Sequence, residues 1–265
     1  MNYTSKDHTY AICAYKESIY LEECVKSLVS QTVKSNIFIA TSTPNSHIEN
    51  IAKKYNISVF VNKGIKGLGG DWNFAYSKSD TPLVTIAHQD DIYEPDYTKE
   101  MLSHINESKK PIIYFSGYGE LRGDKKVYNN KNLKIKKIIL SPLKIKALNG
   151  VRFVRRRCLS FGNPICCPAV TYVKSVVGSN PFTNDFLSNI DWQQWEIQSR
   201  KKGEFVYNSK PLMCHRIHEA STTSEIIGNN NRTKEDFEMF KKFWPKAIAK
   251  CISRLYAKSE ESNNI

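Results

Sequence analysis

The chain alternates short apolar runs with stretches in which apolar positions recur at helical spacing. An apolar run at 10–14 is followed by helix-like periodicity over 19–29, which together predict a strand and then an amphipathic helix. The same alternation predicts strands at 37–40, 59–61 and 83–87 and helices at 48–55 and 71–77. Such a series predicts an α/β fold built on a mostly parallel, buried central sheet flanked by helices. A fifth strand is expected at 112–115, leading into a glycine-containing turn, and 161–170 reads as mixed loop and strand, so the second half is less regular. Over 233–258 the residues Phe237, Phe240, Trp244, Ile248, Cys251 and Leu255 recur every three or four positions with lysines between them. They predict a basic amphipathic helix, kinked at Pro245.

Open parallel sheets bind ligands beyond the carboxyl ends of their strands, so the residues just after Ala14, Ala40, Val61 and Ala87 matter first. His88-Gln89-Asp90-Asp91 directly follows a predicted strand, and its two carboxylates are hard oxygen ligands suited to Mg²⁺ or Mn²⁺. Adjacent acids also serve as helix caps or in solvated loops. The segment Asn62-Lys63-Gly64-Ile65-Lys66-Gly67-Leu68-Gly69-Gly70 lets backbone amides and lysines approach an anion, yet it matches neither a Walker A loop nor a Rossmann fingerprint. Dense glycines equally punctuate ordinary loops. Asp191 opens what looks like the first turn of a helix, where its carboxylate suits a general base and equally suits an N-cap with Trp192 and Trp195 buried behind it. Glu196 is the weaker candidate base, with Asp185 in reserve. His215 and His218 lie in the run 211–223 beside Arg216 and several hydroxyls. An imidazole there could complete a metal shell and would favour Mn²⁺, although loop histidines are more often structural.

Composition adds a partner class. The 265 residues are 40% hydrophobic and 25% charged, ordinary for a globular protein, but the formal net charge is +13. That excess calls for an anionic partner: nucleic acid, a lipid surface or a phosphorylated substrate. Between 125 and 157 stand twelve lysines and arginines and no Asp or Glu. Seven cysteines without CxxC spacing suggest neither a disulfide framework nor a zinc site and fit a reducing cytosol. The first ten residues lack an apolar signal region, and no run of about 18 apolar residues occurs. The expectation is a cytoplasmic chain that neither is exported nor spans a membrane.

Taken in order over roughly 10–223, these pieces resemble the family 2 glycosyltransferases. Ala11-Ile12-Cys13-Ala14-Tyr15-Lys16-Glu17, then Leu21-Glu22-Glu23-Cys24, Ser27-Leu28 and Gln31-Thr32, are similar to the family's first strand and helix. The resemblance implies a GT-A fold, an inverting transfer of sugar from a nucleoside-diphosphate donor, UDP favoured, to a saccharide or lipid-linked acceptor, and Mn²⁺ or Mg²⁺ as cofactor. It implies donor contacts at Ala14, Tyr15, Glu17, Asn62, Gly64, Asn73, His88, Gln89 and Asp90, with Tyr15 and Glu17 at the nucleoside. Asp91 and the His218 of a late Arg-x-His would bind the metal, and Asp191 would be the catalytic base. Three departures stand out: Thr41-Ser42-Thr43-Pro44 replaces an acidic pair after the second strand, Trp72 stands where an Arg is usual, and His88 replaces the leading Asp of a DxD motif.

The implied division is a catalytic domain over 1–228, its nucleotide-binding half about 1–118 and its acceptor half about 119–228, followed by a basic helix and tail over 229–265. The basic segment and that helix suggest peripheral contact with an anionic membrane in surface polysaccharide or glycolipid synthesis. The commoner fate of such a stripe is packing against the domain, which would bury Phe237, Phe240 and Trp244. Two competing readings are a sugar nucleotidyltransferase and a nucleic-acid-binding protein using Lys134, Lys137 and Arg155 to Arg157. No nucleic-acid motif accompanies those residues, and no nucleic acid is the expected partner.

Overall fold

The computed structural model describes residues 2–183, 185–218 and 231–261. Strands β1 (His8–Ala14), β2 (Asn36–Thr41), β3 (Ser58–Val61) and β4 (Leu83–His88) are mutually parallel, each near a predicted position. Tyr10, Ala11, Ile12, Val84 and Ile86 are fully buried, as strands covered on both faces must be. Helix α1 (Leu21–Val29) buries Leu21, Cys24, Val25 and Leu28, one stripe at helical spacing, while Ile19 before it is 82% exposed. Helix α2 (Ser46–Tyr55) is started by Asn45, whose side chain accepts the Ile48 N–H at 3.0 Å, and ended by Asn56 in the left-handed region. Helix α3 (Leu68–Lys78) begins three residues earlier than the pattern predicts, directly after Gly67 at φ +96°.

The second half holds β5 (Ile92–Tyr93), α4 (Tyr97–Glu107), β6 (Pro111–Arg122), β7 (Lys125–Val127), α5 (Lys131–Leu140) and α6 (Arg152–Leu159), then β8 (Val170–Val173), α7 (Lys174–Val177), α8 (Ile190–Ser199) and β9 (Glu204–Ile217). Among the described residues the strands form a nine-stranded sheet in the order β3-β2-β1-β4-β8-β6-β9-β5, with β7 on β6. β8 runs antiparallel to both β4 and β6, whereas β9 is parallel to β6. The basic segment is therefore largely helical. Arg155 is 1% exposed and donates to the carbonyls of Gly203 and Lys201. Arg156 pairs with Glu196 and donates to the Lys242 carbonyl. These two arginines hold the interior together and are not available as a phosphate comb.

The C-terminal periodicity resolves into α9 (Asn231–Lys241) and α10 (Lys246–Glu261), with Pro245 at the start of the second helix. Proline is favoured at a helix start because it lacks the N–H that the first turn leaves unused. The break resets the helical phase. Met239, Phe240 and Ala249 are fully buried in the core, and Phe237, Phe243, Trp244, Ile252 and Tyr256 are partly buried against it. Ile248, Cys251 and Leu255, expected on the same stripe, are exposed. The boundary expected at 228/229 and the hydroxyls at 221–223 lie outside the described residues. Among the described residues no helix is long and apolar enough to cross a membrane.

Candidate functional site

The carboxyl ends of β1 and β4 lie side by side, Cys13 in register with His88. Just beyond them the Gln89 side chain clamps the Tyr15 backbone: its Oε1 accepts the Tyr15 N–H at 3.0 Å and its Nε2 donates to the Tyr15 carbonyl at 3.1 Å. Lys16 then turns through the left-handed region and donates its N–H to Thr43 Oγ1 at 2.6 Å, tying the end of β1 to that of β2. The His88-Gln89-Asp90-Asp91 turn is held from the far end of the chain. β9 pairs antiparallel with β5, Ile92 opposite Cys214, which sets Arg216 beside the acidic pair. The Arg216 N–H donates to Asp91 Oδ1 at 2.9 Å, its Nε donates to the Asp90 carbonyl at 2.8 Å, and its guanidinium pairs with Glu23.

The donor set fits a divalent cation. Ligand atoms of His88, Asp90 and Asp91 all lie within 4.8 Å of one another. Asp91 is fully buried and its Oδ2 has no hydrogen-bond partner, nor has His88 Nε2. Buried orphaned acceptors are costly, and a cation would satisfy them. His218 Nε2 lies 3.0 Å from Asp90 Oδ2, and His215 Nδ1 lies 2.9 Å from Asp91 Oδ1. Burial alone would lower the His215 pKa, but the Asp91 carboxylate lifts it to about 9. Burial works against ionised Asp90, yet the neighbouring imidazoles of His88, His218 and His215 hold its carboxyl below the usual range. Of the two expected metal ligands Asp91 belongs to this group and His218 lies beside Asp90, while the group also takes in Asp90 and His88, both expected at the donor. His88 is held in place by an aromatic neighbour. Its ring stacks on Trp72, centroids 5.1 Å apart.

His88, Asp90 and His215 open onto a cleft of about 940 Å³ that also reaches Asp191, with Asp91 buried behind them. Asp191 sits in the first turn of α8 but is not its N-cap, which is Asn189. Its Oδ2 accepts from Asn163 Nδ2 at 2.7 Å and its Oδ1 from the Trp192 N–H at 2.7 Å. Withdrawal from water pushes its carboxyl above the usual carboxylate range, against the pull of those two donors and of the Arg232 and Lys136 charges. Trp192 and Trp195 are indeed buried behind it. The amides entering α8 are taken by Glu235 of α9, which accepts the N–H groups of Leu187, Ser188 and Asn189 at 2.7, 2.8 and 3.1 Å. Glu196 is committed to Arg156 and Arg200, and Asp185 accepts from Gln193, so neither lines the cleft.

Of the expected donor-contact residues, Ala14, Tyr15, His88, Gln89 and Asp90 line the cleft. Glu17 is exposed and does not line it. Asn62 is buried and shapes the loop after β3, its Oδ1 accepting the Gly64 N–H at 2.9 Å and its Nδ2 donating to Ile65 O and Asp71 Oδ1. Asn73 clamps the Phe182 backbone through both ends of its amide. Among the cleft residues that escaped the sequence reading are Asn163 and three charged ones, Asp71, Lys136 and Arg232. The spacing of Asn132, Ile135, Lys136 and Ile139, one helical face, was the available signal for Lys136. Its Nζ donates to Tyr118 Oη at 2.7 Å, and its pKa is raised although burial opposes this, because Tyr118 and Tyr256 favour the cation. Ile252, Leu255 and Tyr256 bring α10 onto the cleft wall.

Residues 9–178 match glycosyl transferase family 2. The chain belongs to that family. No curated protein sequence matches it. Solved structures similar to it include Staphylococcus aureus TarS 1-349 in complex with UDP-GlcNAc, at TM-score 0.65 and 13% identity, covering 93% of this chain and 70% of that one. The Pyrobaculum calidifontis mannosyltransferase PcManGT in complex with GDP-Man and Mn²⁺ gives TM-score 0.64 at 10% identity, covering 96% and 71%. Glucosyl-3-phosphoglycerate synthase from Mycobacterium tuberculosis, in complex with Mn²⁺ and UDP-Glc, gives 0.60 at 12%, covering 89% and 78%. The curled, mostly parallel sheet of this glycosyltransferase is thus the GT-A fold, and the nucleotidyltransferase and nucleic-acid readings give way.

Proposed function

We propose that this family 2 glycosyltransferase is inverting, takes its sugar from a nucleoside diphosphate in the presence of Mn²⁺ or Mg²⁺, and transfers it to a hydroxyl of a saccharide or lipid-linked acceptor. The observation that carries this reading is one cleft lined both by His88 and Asp90 of the carboxylate–imidazole group and by the separate Asp191 carboxylate. Asp191 takes the proton of the acceptor hydroxyl as that oxygen bonds to the anomeric carbon and the bond from that carbon to the diphosphate oxygen breaks. One displacement inverts the anomeric configuration. Asn163 and the Trp192 N–H hold the two carboxylate oxygens, so the base is oriented before the acceptor arrives. A cation held by His88, Asp90 and Asp91, with His218 beside them, would carry charge on the departing diphosphate. The Lys136 ammonium adds positive charge within the same cleft.

For location, we read a cytosolic protein in peripheral contact with an anionic membrane, in surface polysaccharide or glycolipid synthesis. Lys125, Lys131, Lys134, Lys144 and Arg152 are exposed in the segment that also exposes Ile138 at 70%, Ile145 at 57% and Phe153 at 68%. Basic side chains with apolar neighbours suit an anionic bilayer. Salt-dependent sedimentation with phosphatidylglycerol vesicles tests this, and equal recovery with neutral vesicles refutes it.

For the reaction, nucleotide sugars titrated by calorimetry with and without Mn²⁺, followed by proton NMR of the product's anomeric signal, form the test. Metal-dependent binding and an inverted product are expected. A retained configuration would overturn the single displacement.

A further inference from the structure

We infer that Asp71 reads the base of the donor nucleotide and selects a ring N–H, so that the base is one that carries such a hydrogen, as uracil and guanine do, and not cytosine or adenine. The inference rests on the transferase reading above and deepens it. Across the sheet the order β4, β1, β2 places the end of β2 two strand spacings from the ligand group at the end of β4, roughly 10 Å at the usual separation of neighbouring strands. A nucleotide with its diphosphate near His88, Asp90 and Asp91 therefore extends its nucleoside over Ala14 and Tyr15 toward Ser42, Thr43 and Asp71.

There the carboxylate is fixed from two sides. Ser42 Oγ donates to Asp71 Oδ2 at 3.0 Å, and Asn62 Nδ2 donates to Asp71 Oδ1 at 2.7 Å. Asn62 is itself immobilised, 4% exposed with its N–H on the Thr41 carbonyl at 2.8 Å. No lysine or arginine among the described residues pairs with Asp71, although Lys66 lines the same cleft. Each carboxylate oxygen accepts more than one hydrogen bond, so both keep acceptor capacity for a ligand. An oriented, unneutralised acceptor wants a donor. Uracil N3 and guanine N1 carry a hydrogen and satisfy it. Cytosine N3 and adenine N1 carry a lone pair and oppose it, leaving a polar group unpaired, which is how a site rejects a near-isostere. Ser42 stands where the chain lacks an acid after β2, and α3 supplies the carboxylate instead.

UDP and CDP differ only at this edge of the base, which makes them matched probes. Calorimetry of the full chain with UDP, GDP, CDP and ADP in Mn²⁺ should show UDP or GDP bound at least roughly ten-fold tighter than CDP and ADP, the scale of one hydrogen bond to a charged group. Asp71→Asn, whose amide can donate to cytosine N3, should shrink the UDP-to-CDP ratio by about that factor. Ser42→Ala keeps the carboxylate, loses one of its anchors and should shrink the ratio less, with an unchanged melting temperature as the check on folding. Equal binding of CDP and UDP by the wild type overturns the inference, as does an unchanged ratio in Asp71→Asn. Absence of binding by all four overturns the transferase reading and this assignment with it.

Discussion

Replacing Phe240 by alanine tests whether the C-terminal helices belong to the body of the enzyme. Phe240 is fully buried, with its ring edge-on to Trp192 at 5.1 Å and to Tyr256 at 5.6 Å. Trp192 is itself fully buried and hydrogen-bonded to the Leu159 carbonyl, so the neighbours cannot collapse into the space. Truncation then costs both the transfer free energy of a phenyl ring and the cavity left behind, about 3–5 kcal/mol. In a chain of this size roughly 2–4 °C is lost per kcal/mol, so the melting temperature should fall by about 6–20 °C. Urea unfolding of the two proteins should show a lower midpoint at constant slope. Leu255→Ala is the control: Leu255 is 64% exposed and should change stability by less than about 0.5 kcal/mol. If Phe240→Ala lost less than about 1 kcal/mol, or no more than the control, the packing of α9 and α10 onto the catalytic core would be refuted.

Asp191→Asn should reduce transfer by roughly 10²–10⁴ while leaving donor binding intact. Because burial raises the Asp191 pKa, the wild-type rate should fall on the acid side at a pH above the ordinary Asp range, and that limb should vanish in the variant. The stability sign is opposite to that of a salt-bridged Asp: the buried charge costs stability once pH exceeds the unfolded-state value, so Asp191→Asn should melt no lower than the wild type at pH 7. Mn²⁺ at a hundred times its dissociation constant should stabilise the wild type by about 2.7 kcal/mol, and scanning calorimetry should find no such shift in Asp91→Asn. Glu235→Ala removes the acceptor of three backbone N–H groups at the start of α8 and should cost about 1–2 kcal/mol in urea unfolding. Its kcat should fall more than its donor KM rises, since the base is displaced and the nucleotide half is not.

Strands β1 and β4 were legible because each is buried on both faces, and α1 because its apolar stripe is unbroken. The acidic pair was legible for a related reason, since it follows a strand whose end the pattern locates, whereas Asp191 stood out as opening the first turn of a helix, where it lies. What escaped depends on contacts that local pattern does not encode. β6 runs on from Phe115 to Arg122 because β9 pairs along it and β7 pairs with its end, which no local run of residues announces. The helices of the basic segment were hidden by charge, since Arg155 and Arg156 are apolar-face residues only once Gly203, Lys201 and Glu196 receive them. Asp71 drew no reading beyond the start of the helix predicted at 71–77, because only the fold brings Ser42 and Asn62 to it. The helical phase carried across Pro245 assigned Ile248 and Leu255 to a buried face that Ala249 and Ile252 occupy.

The two chemical centres of the cleft are built by opposite strategies. The ligand group stands at the end of a strand that its own βα units would place correctly, yet its orientation depends on Arg216, which ties Asp90 and Asp91 to Glu23 of α1. The proposed base, Asp191, stands at the start of a helix whose entering amides are held by Glu235 and whose following tryptophan packs on Phe240. Both therefore rest on segments late in the chain, β9 for one and α9 for the other. A change in how α9 sits on the core reaches Asp191 through Glu235 and Trp192 without touching the proposed nucleotide end, where Gln89 clamps the chain after β1 and Ser42 and Asn62 share Asp71 of α3. On the proposed roles donor binding and acceptor activation are separable, and variants in α9 should depress transfer while sparing affinity for the nucleotide.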